Sequence, residues 1–76
     1  MDELLAWIAR GLVDEPEAVR VERVEDDDVA ILRLSVAPDD VGKVIGRQGR
    51  VARALRTVVR SAGARGDRRL LLEIAD

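Results

Sequence analysis

Between Val41 and Arg50 the chain reads VGKVIGRQGR, in which three cations, Lys43, Arg47 and Arg50, are interleaved with three glycines, Gly42, Gly46 and Gly49. Cations beside bare backbone suit one ligand chemistry in particular. An anion can come close enough for main-chain N–H groups to reach it, while side-chain charges close on it from either side. Glycine at both ends of Gly46-Arg47-Gln48-Gly49 permits positive φ and removes the Cβ that would stand in the way. A phosphate fits this description. Val44 and Ile45, just before the corner, offer an apolar floor for bases whose phosphates the loop holds.

Spacing excludes two other phosphate loops. The P-loop needs a lysine and a hydroxyl residue after its last glycine, whereas Gly46 and Gly49 are followed by Arg47 and Arg50. The dinucleotide fingerprint needs G-x-G-x-x-G directly after a strand, and the spacing here is G-x-x-x-G-x-x-G with a helical segment in front. The chain has no cysteine and no histidine, which removes disulfides, thiolate nucleophiles, imidazole bases and the usual zinc sites. Ser35, Thr57, Ser61, Lys43 and the carboxylates have no activating partner at motif spacing, so neither catalysis nor a cofactor is expected. Asp26-Asp27-Asp28 lacks the glycine and distant glutamate of an EF-hand and reads as a polar turn rather than a metal site.

The elements that must position the glycine segment follow from periodicity. Leu4, Leu5, Ile8 and Leu12 recur at helical spacing behind Asp2 and Glu3, predicting a helix over roughly residues 2–13 that Asp14-Glu15-Pro16 stops. Val19 and Val21 alternate with charged neighbours, and after the acidic residues 25–28 a second run places Ala30, Leu32, Leu34 and Val36 on one side. Two antiparallel strands with a short turn are expected, the first ending early or bulging where Arg23 and Val24 break the alternation. Pro38-Asp39-Asp40 opens a brief helix, with either aspartate as its cap, and Gly46 ends it. From Arg50 to about Ala62, Val51, Ala52, Leu55, Val58, Val59 and Ala62 form an apolar stripe opposite Arg50, Arg53, Arg56 and Arg60. Gly63 stops that helix, a loop follows, and Leu70, Leu72 and Ile74 face inward on a last strand. The expected fold is α+β, in the order α-β-β-α-α-β, within one domain spanning residues 1–76.

Charge is distributed unevenly along this order. Residues 1–40 carry twelve acids and four bases, and residues 41–76 three acids and nine bases, so the formal net charge of −2 conceals a basic second half. It is the local potential that an anionic ligand meets. With no basic N-terminal segment ahead of an apolar run and no stretch long enough to span a bilayer, a soluble cytoplasmic protein is expected.

Val44-Ile45-Gly46-Arg47-Gln48-Gly49 between two helices, together with the element order, resembles the K-homology (KH) family of single-stranded nucleic-acid binders. The order is similar to the bacterial, type II arrangement, a three-stranded mixed sheet with three helices on one face, and the length resembles the small bacterial proteins made of one KH domain. The resemblance implies that Gly46, Arg47, Gln48 and Gly49 contact phosphates, that Val44 and Ile45 line a groove, and that Lys43, Arg47 and Arg50 add charge; Arg53, one turn beyond the loop, is within reach of the same RNA. It also implies single-stranded RNA as ligand, with single-stranded DNA as a competitor, low sequence specificity, and a role in post-transcriptional regulation or as an RNA chaperone. The protein would act alone, as a homodimer or as a heterodimer with another KH-containing protein. One departure from the pattern is Ala52, where many KH domains carry a bulky aliphatic residue, leaving Val51 or Leu55 to fill the space behind the loop.

Simpler roles stand beside these. The glycines would serve a plain helix-helix turn, Arg56 and Arg60 a solvated helix face, and Arg65, Arg68 and Arg69 either a basic rim or the protection of an edge strand. Trp7, the only aromatic residue, rules out base stacking on an aromatic sheet and belongs at the core periphery or in a subunit contact. The alternative function is a protein-interaction or dimerisation module that kept a KH-like shape and lost nucleic-acid affinity.

Overall fold

The computed structural model describes residues 1–64, 66 and 69–75. Among these, three helices and three strands follow the expected order: α1 (Asp2–Leu12), β1 (Arg20–Asp26), β2 (Val29–Ser35), α2 (Val41–Ile45), α3 (Arg50–Gly63) and β3 (Arg69–Ile74). Short 3-10 turns at Pro16–Ala18, Pro38–Asp40 and Arg47–Gly49 lead into β1, α2 and α3. No helix among the described residues is long and apolar enough to cross a membrane.

The sheet has the order β1-β2-β3, with β1 antiparallel and β3 parallel to the central β2. Alternation along β2 decides which face is covered. Ala30, Leu32 and Leu34 are buried, and their sheet partners Leu70, Leu72 and Ile74 on β3 point to the same side. Against that side pack Leu5, Ala6 and Ala9 of α1, Val44 of α2, and Leu55 and Val59 of α3, so all three helices share one face. The other face carries a charged rung, Arg33 paired to Glu22 at 3.1 Å and to Glu73 at 3.3 Å, beside an apolar row of Val24, Ile31 and Leu71.

Two expectations are corrected here. β1 neither bulges nor ends early: its pairing with β2 is unbroken from Arg20↔Ser35 to Asp26↔Val29, and the turn is confined to Asp27 and Asp28, with Asp27 at φ 47°. Arg23 interrupts the apolar alternation harmlessly, because at the sheet edge its guanidinium reaches over to Asp2 of α1 through a two-point contact that includes Nε to Oδ2 at 3.1 Å. Val58, placed by periodicity in the apolar stripe of α3, is 40% exposed, since α3 packs on a narrower line centred on Ala52, Leu55 and Val59.

Candidate nucleic-acid interface

The corner between α2 and α3 is built from backbone conformations that side chains disfavour. Gly46 closes α2 by donating its N–H to Gly42 O at 2.8 Å, then takes φ 78° and ψ 172°, a region essentially reserved for glycine. A Cβ at Gly46 would lie 2.5 Å from Val51 Cγ2 and 2.9 Å from Val51 N. Val51 therefore fills the space behind the loop, which settles how the chain accommodates Ala52. Gln48 (φ 58°, ψ 25°) and Gly49 (φ 74°, ψ 16°) are both left-handed, and this pair of turns redirects the chain into α3.

These conformations let the corner bond two of its own amides. Gly49 N–H donates to Gly46 O at 3.1 Å and Arg50 N–H to Arg47 O, so both are used inside the corner.

The side chains around the corner divide into exposed and committed groups. Arg47, Gln48, Arg50 and Arg53 are exposed, while Ile45, Gly46 and Gly49 are half-buried. Arg50 Nη2 lies 3.4 Å from Gln48 Oε1, a weak contact that leaves both groups open to a ligand. Val44 is corrected from groove lining to core: it has no exposed surface, and it anchors α2 in the apolar cluster that also holds Leu32, Leu34 and Leu55. Lys43 is exposed but not unattached. Its ammonium donates to Asp14 Oδ2 at 2.9 Å and stands 3.6 Å from Asp40 Oδ1, and the hydrogen bond to Asp14 is the largest of the interactions that raise its pKa.

Asp40 is one of the two aspartates expected to cap α2. Its side chain makes no capping bond and turns instead toward the α1–β1 connection, where it accepts the Glu15 N–H at 3.1 Å. Only 1% of the residue is exposed. Burial by itself would push this carboxyl up, but the amides of Glu15 and Asp14 and the nearby Lys43 outweigh it and leave the pKa below the ordinary value. No local sequence signal could have paired Asp40 with a residue 25 positions away.

Beyond the corner, Arg53, Arg56 and Arg60 continue along α3, about 4, 9 and 15 Å from Arg50 at 1.5 Å per residue. Arg56 and Arg60 border a cleft of about 250 Å³ whose other wall is Leu70, Leu71 and Leu72 of β3. Sequence reasoning gave these two arginines to a solvated face and missed the leucine wall, which only the parallel pairing of β3 brings alongside α3. Arg69 is exposed at the start of β3; Arg65 and Arg68, grouped with it as a basic rim, lie outside the described residues. Trp7 is 70% exposed and lines a groove with Val19, Arg20 and Val21 of the β1 side, away from the corner.

Comparison with known proteins agrees with the fold. A family model described as KhpA/KhpB, KH domain, matches residues 2–74. The chain is 49% identical over 74 residues to the RNA-binding protein KhpA of Clostridium acetobutylicum, covering 97% of this chain and 99% of that protein. It is 50% identical over 76 residues to the RNA-binding protein KhpA of Halalkalibacterium halodurans, covering all of both chains. It is 49% identical over 75 residues to the RNA-binding protein KhpA of Treponema pallidum, covering 99% of this chain and 94% of that protein.

Proposed function

The chain belongs to the KhpA/KhpB KH-domain family, and on that premise we propose that it binds single-stranded RNA through the Gly46–Gly49 corner. The observation that carries this is the backbone: the glycine-only geometry of Gly46 and the left-handed Gln48 and Gly49 make a sharp corner with Arg47 and Gln48 exposed at its tip. Exposed Arg47, Arg50 and Arg53 surround the corner, so a phosphate would meet side-chain hydrogen bonds and charge together. Ile45 then borders the bases, with Val44 as the fixed point beneath, and Lys43 adds charge only after releasing Asp14.

Backbone donors and arginines carry little base information, so the specificity is low. Without an aromatic near the corner the affinity of one domain is micromolar or weaker, and it rises when two domains engage one strand. Such a ligand profile suits post-transcriptional regulation or RNA chaperoning. Single-stranded DNA presents the same phosphates and competes.

The test is titration of a labelled single-stranded oligoribonucleotide against the native protein and the Arg47→Asp, Gln48→Asp double variant. Both side chains are exposed, and aspartate tolerates the left-handed conformation of position 48. The double variant should melt like the native protein and lose binding by at least about tenfold, as expected when charge-assisted phosphate contacts are replaced by repulsion. Equal affinity of the two proteins overturns the proposal. The exposed Trp7 and Leu4 on α1 favour a second reading, a dimerisation module, for which the same variant would leave self-association unchanged and RNA would not bind either protein.

A further inference from the structure

Resting on the reading of the corner as a phosphate cradle, we propose that Asp40 is the positioning residue for that cradle, and that Asp14 competes with RNA for Lys43. A five-residue helix has too few internal hydrogen bonds to hold its own orientation. α2 is located by Val44 in the core and, at its first turn, by whatever fixes Asp40. That fixture is the bond from Glu15 N–H, which ties the entrance of α2 to the connection between α1 and β1. With both anchors in place α2 cannot rotate about Val44, and Gly46, closed onto Gly42 at the far end, presents the corner at one angle.

Lys43 links the same group to the ligand. It sits three residues beyond Asp40 and shares its ammonium between Asp40 and the exposed Asp14. Asp40 is buried and bonded to backbone, so it cannot follow Lys43 outward; Asp14 is exposed and held to Lys43 by one contact, so it is the partner a phosphate displaces.

Two acids beside one cationic site should therefore act with opposite sign, which simple electrostatics does not allow. If only charge mattered, neutralising either acid would strengthen RNA binding. Under the proposal Asp14→Asn tightens binding about threefold, the size of one exposed ion pair released. Asp40→Asn weakens it about fivefold although it removes a negative charge, as expected when the charge-assisted bond from Glu15 N–H becomes a weaker neutral one. The experiment measures the dissociation constant of a fluorescein-labelled oligouridylate for the native full chain and both variants at low ionic strength, with amide spectra of the free proteins.

Tighter binding by Asp40→Asn overturns the positioning role, and unchanged binding by Asp14→Asn overturns the competition. Amide spectra keep the positioning claim testable even if the native protein binds no RNA, a result that would instead sink the function proposed above. Asp40→Asn should shift the Gly46–Gly49 amides and Asp14→Asn should not; unshifted loop amides in Asp40→Asn overturn the proposal. Should Asp40→Asn fail to fold, hydrogen exchange in the native protein decides. The Glu15 and Gly46 amides should exchange within about threefold of each other because they open as one unit, and a Glu15 amide exchanging far faster than Gly46 refutes the tie.

Discussion

At Gly46 two independent constraints meet in one atom position. The backbone conformation is closed to side chains, and the site where a Cβ would go is already occupied by Val51. Gly49 carries only the first constraint, and in a milder form: its left-handed conformation is one that other residues reach at a cost, and nothing lies within 4 Å of a Cβ built there. The two glycines of the corner are therefore unequal. Gly49→Ala should destabilise the fold by about 1 kcal/mol. Gly46→Ala should cost about 3 kcal/mol or more, because backbone strain and the collision with Val51 add. Urea unfolding of the two variants checks this, and equal midpoints would mean that Val51 moves aside freely. The sequence showed that both positions need glycine; it could not rank them, because the ranking depends on a side chain that α3 folds back beneath the loop.

Between elements, polar ties complement the apolar core. Asp2 holds the first turn of α1 to Arg23 of β1, and Asp40 holds the entrance of α2 to the segment leaving α1. Both carboxyls have pKa values below the ordinary 3.8: in Asp2 the hydrogen bond from Arg23 is the main cause, and in Asp40 the backbone amides and Lys43 overcome the opposing effect of burial. A group whose folded pKa lies below its unfolded one stabilises in full above the unfolded value and loses that contribution as pH falls through the folded value. Melting temperature should accordingly hold steady from neutral pH to about pH 5 and fall below that, where these carboxylates take up protons. In Asp40→Asn the acid decline should be shallower; a variant with the native slope would show that Asp40 gains nothing from ionisation. These ties mark where sequence reasoning stopped. Element order, the inward faces of β2 and β3 and the extent of α3 follow from local periodicity and are present in the fold. Asp40 as a tether, Lys43 as a shared cation and the leucine wall beside Arg56 and Arg60 all depend on contacts between distant segments, to which periodicity is blind.

Over the whole molecule the acidic turn of the hairpin and the glycine corner stand far apart. The acidic turn at Asp27 and Asp28 abuts the start of β3, where Arg69 N–H donates to Asp28 O at 3.0 Å, at the end of the molecule where α3 finishes. The glycine corner lies at the opposite end of α3, about 20 Å away by the length of a 14-residue helix. That distance exceeds two Debye lengths at physiological ionic strength, about 8 Å each, but falls within the roughly 30 Å that applies at 0.01 M. The turn should therefore be invisible to RNA in the first condition and repel it in the second. Replacing Asp27 and Asp28 by asparagine, which also accepts the positive φ of position 27, should change affinity less than about twofold at 0.15 M salt and raise it several-fold at 0.01 M. The native protein, engaging about three phosphates of a single strand, should lose about 20-fold in affinity between 0.05 and 0.2 M salt, and the variant should show a steeper dependence extending to lower salt. Fluorescence anisotropy across a salt series measures both. Parallel salt dependences for the two proteins would mean that RNA reaches past α3 and touches the hairpin directly, or that charge does not steer it at all.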